Sequence, residues 1–183
     1  MELGVCVASH IGDVDYVVRA EELGYRHAWL ADSQMLWSDC YATLALAAYR
    51  TNRIQIGTGV AVSGTRPAPV TAAAIASINV LAPGRTFLGV GAGNTAMRVM
   101  GQPPQRIADF DQYLETLRPL LRGEEAWLSG DGQGVPVRHI MPDGTSLKRW
   151  KKKRRKSSRA ASGQQQPPGS SGTLLAKQTK GKA

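Results

Sequence analysis

Residues 54–62 read Ile54-Gln55-Ile56-Gly57-Thr58-Gly59-Val60-Ala61-Val62, and residues 86–91 read Thr86-Phe87-Leu88-Gly89-Val90-Gly91. Each is a short apolar run that ends in polar or glycine residues: Ser63 after the first, Ala92-Gly93-Asn94 after the second. Between them lies an alanine-rich, helix-like stretch that reaches Leu81 and stops at Pro83-Gly84. The same unit recurs upstream. Leu3–Ala8 ends in Ser9-His10, Ala28–Ala31 ends in Asp32-Ser33, and a helix-like stretch follows each. Alternation of strand and helix specifies a parallel sheet, because parallel neighbours need a crossover connection. In such folds ligands collect at the carboxyl ends of the strands. Ser9-His10, Asp32, Gly59-Val60 and Gly93-Asn94 are therefore expected on one rim.

The helices follow from periodicity and punctuation. Gly12-Asp13 is expected to open the first, with Asp13 as N-cap, Val14, Val17 and Val18 on one face and Gly24 as its stop. A second is expected from about Asp39 to Arg50, and a third ends at Leu81. A segment over Ala96–Gln105 leads to an amphipathic helix carrying Ile107, Phe110, Tyr113, Leu114, Leu117, Leu120 and Leu121, with Pro119 expected to kink it or shorten its last turn. Trp29 and the leucines are assigned to the core, and Leu3–Ala8, apolar on both faces, to a strand covered on both sides. After Gly123 the pattern frays, with Ala126–Leu128 and Val135–Ile140 as candidate short strands.

Charge divides the chain. Residues 1–147 hold 11 Arg, no Lys and 14 acids, a balance of −3; residues 148–183 hold eight Lys, four Arg and no acids, a balance of +12. We therefore divide the chain into a body, residues 1–143, and a basic, low-complexity tail, residues 144–183. The tail lacks the apolar residues that would offset its ordering entropy and is expected to be disordered. Within it, Lys148–Lys156 carries eight basic residues among nine. Such a run can bind nucleic acid nonspecifically through phosphates. The two cysteines, Cys6 and Cys40, make neither a disulfide framework nor a metal-ligand spacing, which points to a cytoplasmic protein. No apolar run approaches the roughly 20 residues of a membrane span, so no membrane partner is expected.

Four short motifs carry a resemblance: Glu21-Glu22-Leu23-Gly24-Tyr25, Ala31-Asp32-Ser33, Gly57-Thr58-Gly59-Val60 and Leu88-Gly89-Val90-Gly91-Ala92-Gly93-Asn94. In this order, each on its expected strand or helix, they resemble the luciferase-like superfamily of flavin- and deazaflavin-dependent oxidoreductases, over about residues 2–125. The branch it most resembles is that of methylenetetrahydromethanopterin reductase. The resemblance implies a TIM (β/α)8 barrel, of which this chain supplies the first four to five units. It also implies coenzyme F-420 or reduced FMN as cofactor and hydride transfer to or from a small organic substrate. A two-component monooxygenase using reduced FMN and dioxygen is the alternative.

What the resemblance implies for single residues can be set beside their chemistry. Asp32 would face the polar edge of the cofactor ring, and His10, ending the first strand, is the second candidate for catalysis. Trp37 matches an aromatic residue lining the pocket. Gly59 and Val60 match a non-proline cis peptide behind the ring. Gly91, Ala92, Gly93 and Asn94 would let backbone amides approach the ligand; their spacing is not the dinucleotide-binding one. The sugar-phosphate dehydrogenase branch carries an acid-base His where this chain has Ser33, and a catalytic Glu where it has Asn94. That implies a substrate other than a sugar phosphate. His27, at the opposite end of its strand, and His139 are assigned structural or solvated roles.

A complete barrel takes eight strands and about 250 residues. The clear units here number four, so a truncated, frameshifted or mis-joined gene and a catalytically inactive fragment are also expected readings. Four strands leave two open sheet edges, which favour association of copies.

Overall fold

The computed structural model describes residues 1–128 and 134–138. The expected tail, the boundary at residue 143 and His139 lie outside these residues. Four parallel strands form one sheet in chain order: β1 (Gly4–Val7), β2 (His27–Leu30), β3 (Gln55–Val62) and β4 (Thr86–Gly91). The crossovers are α1 (Asp15–Glu22), α2 (Cys40–Arg50) and α3 (Ala68–Leu81); α4 (Thr95–Val99) and α5 (Ile107–Arg122) follow β4. Each strand lies beside the next in sequence, as in the wall of a parallel barrel. Pairing runs in step from Gly4 opposite His27 to Leu30 opposite Thr58, then shifts between Thr58 and Ala61, where β3 bulges against β4.

The two faces of the sheet differ. Ala28, Leu30, Ile56 and Thr58 are fully buried toward the helices, against Val14, Val17, Leu44, Ala47 and Ile75. Burying the larger of these side chains stabilises the fold by about 1.5–3 kcal/mol each. The alternate positions face the other way, where His27, Trp29 and Phe87 are half-buried. There Trp29 stacks on His27 with ring centroids 5.5 Å apart and meets the Phe87 edge at 5.6 Å. Glycines make the space: a Cβ on Gly4 would meet Trp29 at 2.0 Å, and one on Gly57 would meet the Phe87 carbonyl at 2.3 Å. Trp29 is thus a half-buried residue of the inner face and not part of the core. β1 likewise lacks cover on both sides, since Gly4 and Cys6 are exposed while Val5 and Val7 pack on the core.

Several boundaries differ from the sequence expectation for identifiable reasons. A 3-10 turn over Ile11–Asp13 precedes α1, whose N-cap is Val14, so Asp13 does not cap it. Gly24 stops the helix in the left-handed conformation at φ 85°. Asp39 caps α2, accepting the Ala42 N–H at 2.9 Å. α4 is only five residues long, and the chain then runs irregularly to α5. α5 continues past Pro119 to Arg122, with Gly123 left-handed behind it. Leu117 and Leu120 are buried, whereas Ile107, at the first turn, is exposed. Ala126–Trp127 pairs antiparallel with Pro136–Val137 as a separate ribbon (β5, β6), so it is not a fifth barrel strand. Among the described residues no helix is long and apolar enough to cross a membrane.

Candidate functional site

The carboxyl ends of β2, β3 and β4 converge on a cleft of about 220 Å³ lined by Ala31, Asp32, Ser33, Gly59, Val60, Val62, Gly93, Asn94, Thr95 and Ala96. Seven of these come from the motifs singled out above: Asp32, Gly59, Val60, Gly93 and Asn94 as site residues, Ser33 as a departure, and Ala31 beside them. Val60 stands on the bulge, 44% exposed, and its peptide bond with Gly59 is cis. His10 and Trp37 lie beside the rim, their rings edge to face at 5.0 Å, and do not line the cleft. Gly91 and Ala92 stop just short of it.

The glycines have packing reasons. A Cβ on Gly59 would meet the Trp29 Cβ at 2.6 Å, and one on Gly91 would meet the Val60 side chain at 2.8 Å. One on Gly93 would meet the Val62 side chain at 2.3 Å, and Gly93 also sits at φ 69°. These residues let β4 and the loop behind it close onto the bulged β3. At Gly91 and Gly93 side chains of β3 fill the space that a Cβ would take.

Asp32 is held by a network that the sequence motifs did not reveal. Its side chain is only 2% exposed. Arg66 Nη1 donates to both carboxylate oxygens at 2.9 and 2.8 Å, the Val62 N–H donates at 3.1 Å, and Gln34 Nε2 at 2.6 Å. Arg66 Nη2 donates to Asp39 at 2.6 Å, and its guanidinium lies 4.8 Å from the centre of the Tyr41 ring. Burial alone would lower the Arg66 pKa, but the hydrogen bonds and charges of Asp32 and Asp39 outweigh it and raise it. Burial would raise the Asp39 carboxyl; the Ala42 N–H and Arg66 outweigh that and hold it below its ordinary value. Arg66 thereby ties the rim of β2 to the start of α2. The signal available in sequence was an arginine just before Pro67, at the entrance to α3, but nothing in its spacing named the partner.

Beneath this network the reactive groups are silenced. Burial pushes the Cys40 thiol up to about 12, and it sits against the Leu30 carbonyl at 3.5 Å. The Tyr41 phenol is buried without a hydrogen-bond partner and its pKa is raised, first by burial. Neither is placed to act as a nucleophile or a proton carrier at neutral pH. Among the described residues no cluster of three or more His, Cys, Asp or Glu could hold a metal ion.

A larger cavity, about 450 Å³, lies at the other end of the sheet, between Ala48, Tyr49, Thr51, Asn52, Leu81, Pro83 and Arg85. Its only cation is spent internally: Arg85 donates to the carbonyls of Ala48, Thr51 and Ile54 and to the Thr51 hydroxyl. Nearby, Glu21 accepts the N–H groups of Asn52, Arg53 and Ile54. In parallel α/β folds this end carries stability, whereas the carboxyl rim carries chemistry. Size does not outweigh position, and the smaller cleft is the candidate site.

A parallel α/β sheet with a glycine-rich, bulged carboxyl rim defines a class of barrel-wall proteins whose sites are built at the strand ends. The model of the luciferase-like monooxygenase family matches residues 10–151, and the chain belongs to that family. It is 34% identical over 120 residues to 5,10-methylenetetrahydromethanopterin reductase of Methanolobus tindarius, covering 63% of this chain and 36% of the relative. To the F-420-dependent glucose-6-phosphate dehydrogenase of Amycolatopsis mediterranei it is 35% identical over 132 residues, 64% of this chain and 40% of the relative. Among solved structures, the F-420-dependent tetrahydromethanopterin reductase of Methanopyrus kandleri superposes with a TM-score of 0.59 at 23% identity, over 67% of this chain and 40% of that one. The oxygenating constituent of 3,6-diketocamphane monooxygenase of Pseudomonas putida, in complex with FMN, superposes at 0.66 and 17% identity, over 82% and 48%. At these identities the structures speak for the fold. The chain spans well under two thirds of the length of the relatives it matches.

Proposed function

We propose that this chain forms the wall of a luciferase-like oxidoreductase site that receives coenzyme F-420 or FMN and, with it, a small organic substrate. The observation that carries the reading is the cleft at the carboxyl rim. It joins Asp32, the Gly59–Val60 bulge and Gly93–Asn94 around one opening. The family's relatives include F-420-dependent enzymes and an FMN complex.

The residues fit part of such a cofactor. Val60 offers an apolar surface to a flat ring, while Asn94 and the Ser33 hydroxyl supply polar contacts at its edge. Cofactor-sized ligands take pockets of about 300–1,000 Å³. A cleft of about 220 Å³ holds a ring and leaves the remainder to groups beyond this wall. When bound, the cofactor supplies the hydride or, as reduced FMN, reacts with dioxygen; the protein supplies orientation and electrostatics. Asp32, already paired with Arg66 and the Val62 amide, acts here as an anchor that fixes the rim and the bulge, not as a mobile proton carrier. Ser33 and Asn94 stand where sugar-phosphate oxidation would need His and Glu, which supports a different substrate class.

Titrating the full chain with F-420 and with FMN separately, followed by oxygen uptake with each reduced form, tests this. F-420 binding without oxygen consumption supports hydride transfer. FMN binding with oxygen consumption supports the monooxygenase alternative. Failure of both cofactors to bind overturns the reading.

A further inference from the structure

The wall of the cleft carries a full negative charge, and its compensation comes from a residue that does not line the cleft. Asp32 is the one charged residue among those described around the opening, and its carboxylate is spent on the protein. Oδ1 accepts from Gln34 Nε2 and Arg66 Nη1, while Oδ2 accepts from the Val62 N–H and Arg66 Nη1. A carboxylate has about four acceptor positions, so none is left over for a bound molecule. What reaches the cleft from Asp32 is its field and not a hydrogen bond.

Arg66 decides how strong that field is. The side chains of Arg66 and Asp32 are 17% and 2% exposed, so water screens their pair poorly. Asp39, the second partner of Arg66, is 53% exposed and well screened. With Arg66 in place the pair is neutral toward the cleft; without it a buried carboxylate stands bare in the wall. The pair also sets position. The Val62 N–H that Asp32 holds lies just past the register shift between Thr58 and Ala61, so the contact pins the end of the β3 bulge.

We propose that Arg66 is a positioning residue of this site, which rests on reading the cleft as a cofactor site: acting through Asp32 and the Val62 amide, it lets the cleft take a flavin ring in its negatively charged, reduced form. The ring of FMN is neutral when oxidised and, in mildly alkaline solution, an anion when reduced. A bare carboxylate in the wall opposes the anion and barely affects the neutral ring. A unit charge about 10 Å away, in a medium of effective dielectric constant about 20, changes the affinity for an anion by about tenfold. Loss of packing or of fold, by contrast, weakens both forms alike.

Equilibrium titration of the full chain with FMN, oxidised in air and reduced under nitrogen with dithionite, measures the ratio of the two affinities. Arg66→Met should shift this ratio about tenfold against reduced FMN. The neutral double variant, Asp32→Asn with Arg66→Met, should restore the ratio even where both affinities are lower. Asp32→Asn alone leaves the guanidinium in place and should move the ratio the other way, which decides the matter should Arg66→Met fail to fold. Glu21→Gln, which removes a carboxylate holding three amides at the far end of the sheet, should lower stability and leave the ratio unchanged. An unchanged ratio in Arg66→Met and Asp32→Asn, or a shift that persists in the double variant, would overturn the role of Arg66 and leave the cofactor reading intact. Binding of F-420 with neither form of FMN would do the same. A wild-type chain that binds neither cofactor would overturn the reading of the cleft and the role of Arg66 together.

Discussion

Asp32 and Arg66 lie 34 residues apart and meet in a pair whose side chains are 2% and 17% exposed. Removing one partner of a buried pair strands the other's charge, at a cost of about 3–5 kcal/mol. Arg66→Met should therefore lower the unfolding free energy by about 3 kcal/mol. Asp32→Asn should cost a similar amount and the double variant clearly less than their sum; a double-mutant cycle in urea measures this. The glycine floor makes an independent prediction. Gly57→Ala drives a methyl into the Phe87 carbonyl at 2.3 Å and should destabilise by about 1–3 kcal/mol, read from the same denaturation curves. The two thiols should differ on unfolding. Cys40, with its pKa near 12 and its side chain buried, should ignore alkylating reagents until the chain is denatured.

At the scale of elements, two acidic side chains organise helix and strand ends. Asp39 caps α2, and Glu21 of α1 gathers three amides of the turn between α2 and β3. For both, burial would raise the pKa, but the backbone hydrogen bonds, joined at Asp39 by Arg66, outweigh it and hold the carboxyl below its ordinary value. The sign follows: a depressed folded pKa contributes stability that is present above the unfolded value, about 4, and lost as pH falls through the folded one. Unfolding free energy should thus be level near neutrality and decline below about pH 4. Glu21→Gln should flatten part of that decline, which urea titrations at several pH values would reveal. The strands and their order were legible in sequence because parallel strands make short continuous apolar runs ended by Gly, Ser or Asp. The Gly24 stop was legible for a similarly local reason, a glycine just past the helical periodicity. The Asp13 cap was not, because a 3-10 turn intervenes, and α5 outlasted Pro119 because its buried Leu117 and Leu120 hold the last turn. The place of Trp29 on the inner face was not legible, because an apolar residue in an apolar strand gives no sign of which face is covered.

For the whole molecule, the site was legible as a rim, since β-strand ends identify it, while the Arg66 network was not, since it is set by side chains meeting across three elements. The opposition of charge along the chain makes one further prediction. Residues 148–183 hold 12 of the 23 basic residues and no acids, so the full chain should bind nucleic acid in a salt-sensitive way and a chain shortened to residue 143 should not. Filter binding across a salt series measures it, and unchanged affinity would place the basic surface on the body. The central claim is that the carboxyl rim, and not the larger cavity at the other end, receives the cofactor. Hydrogen exchange of the full chain with and without F-420 or FMN tests it most directly. Slowed exchange should gather at residues 31–33, 59–62 and 93–96. Protection instead around Ala48–Asn52 and Leu81–Arg85, with the rim unchanged, would contradict the account.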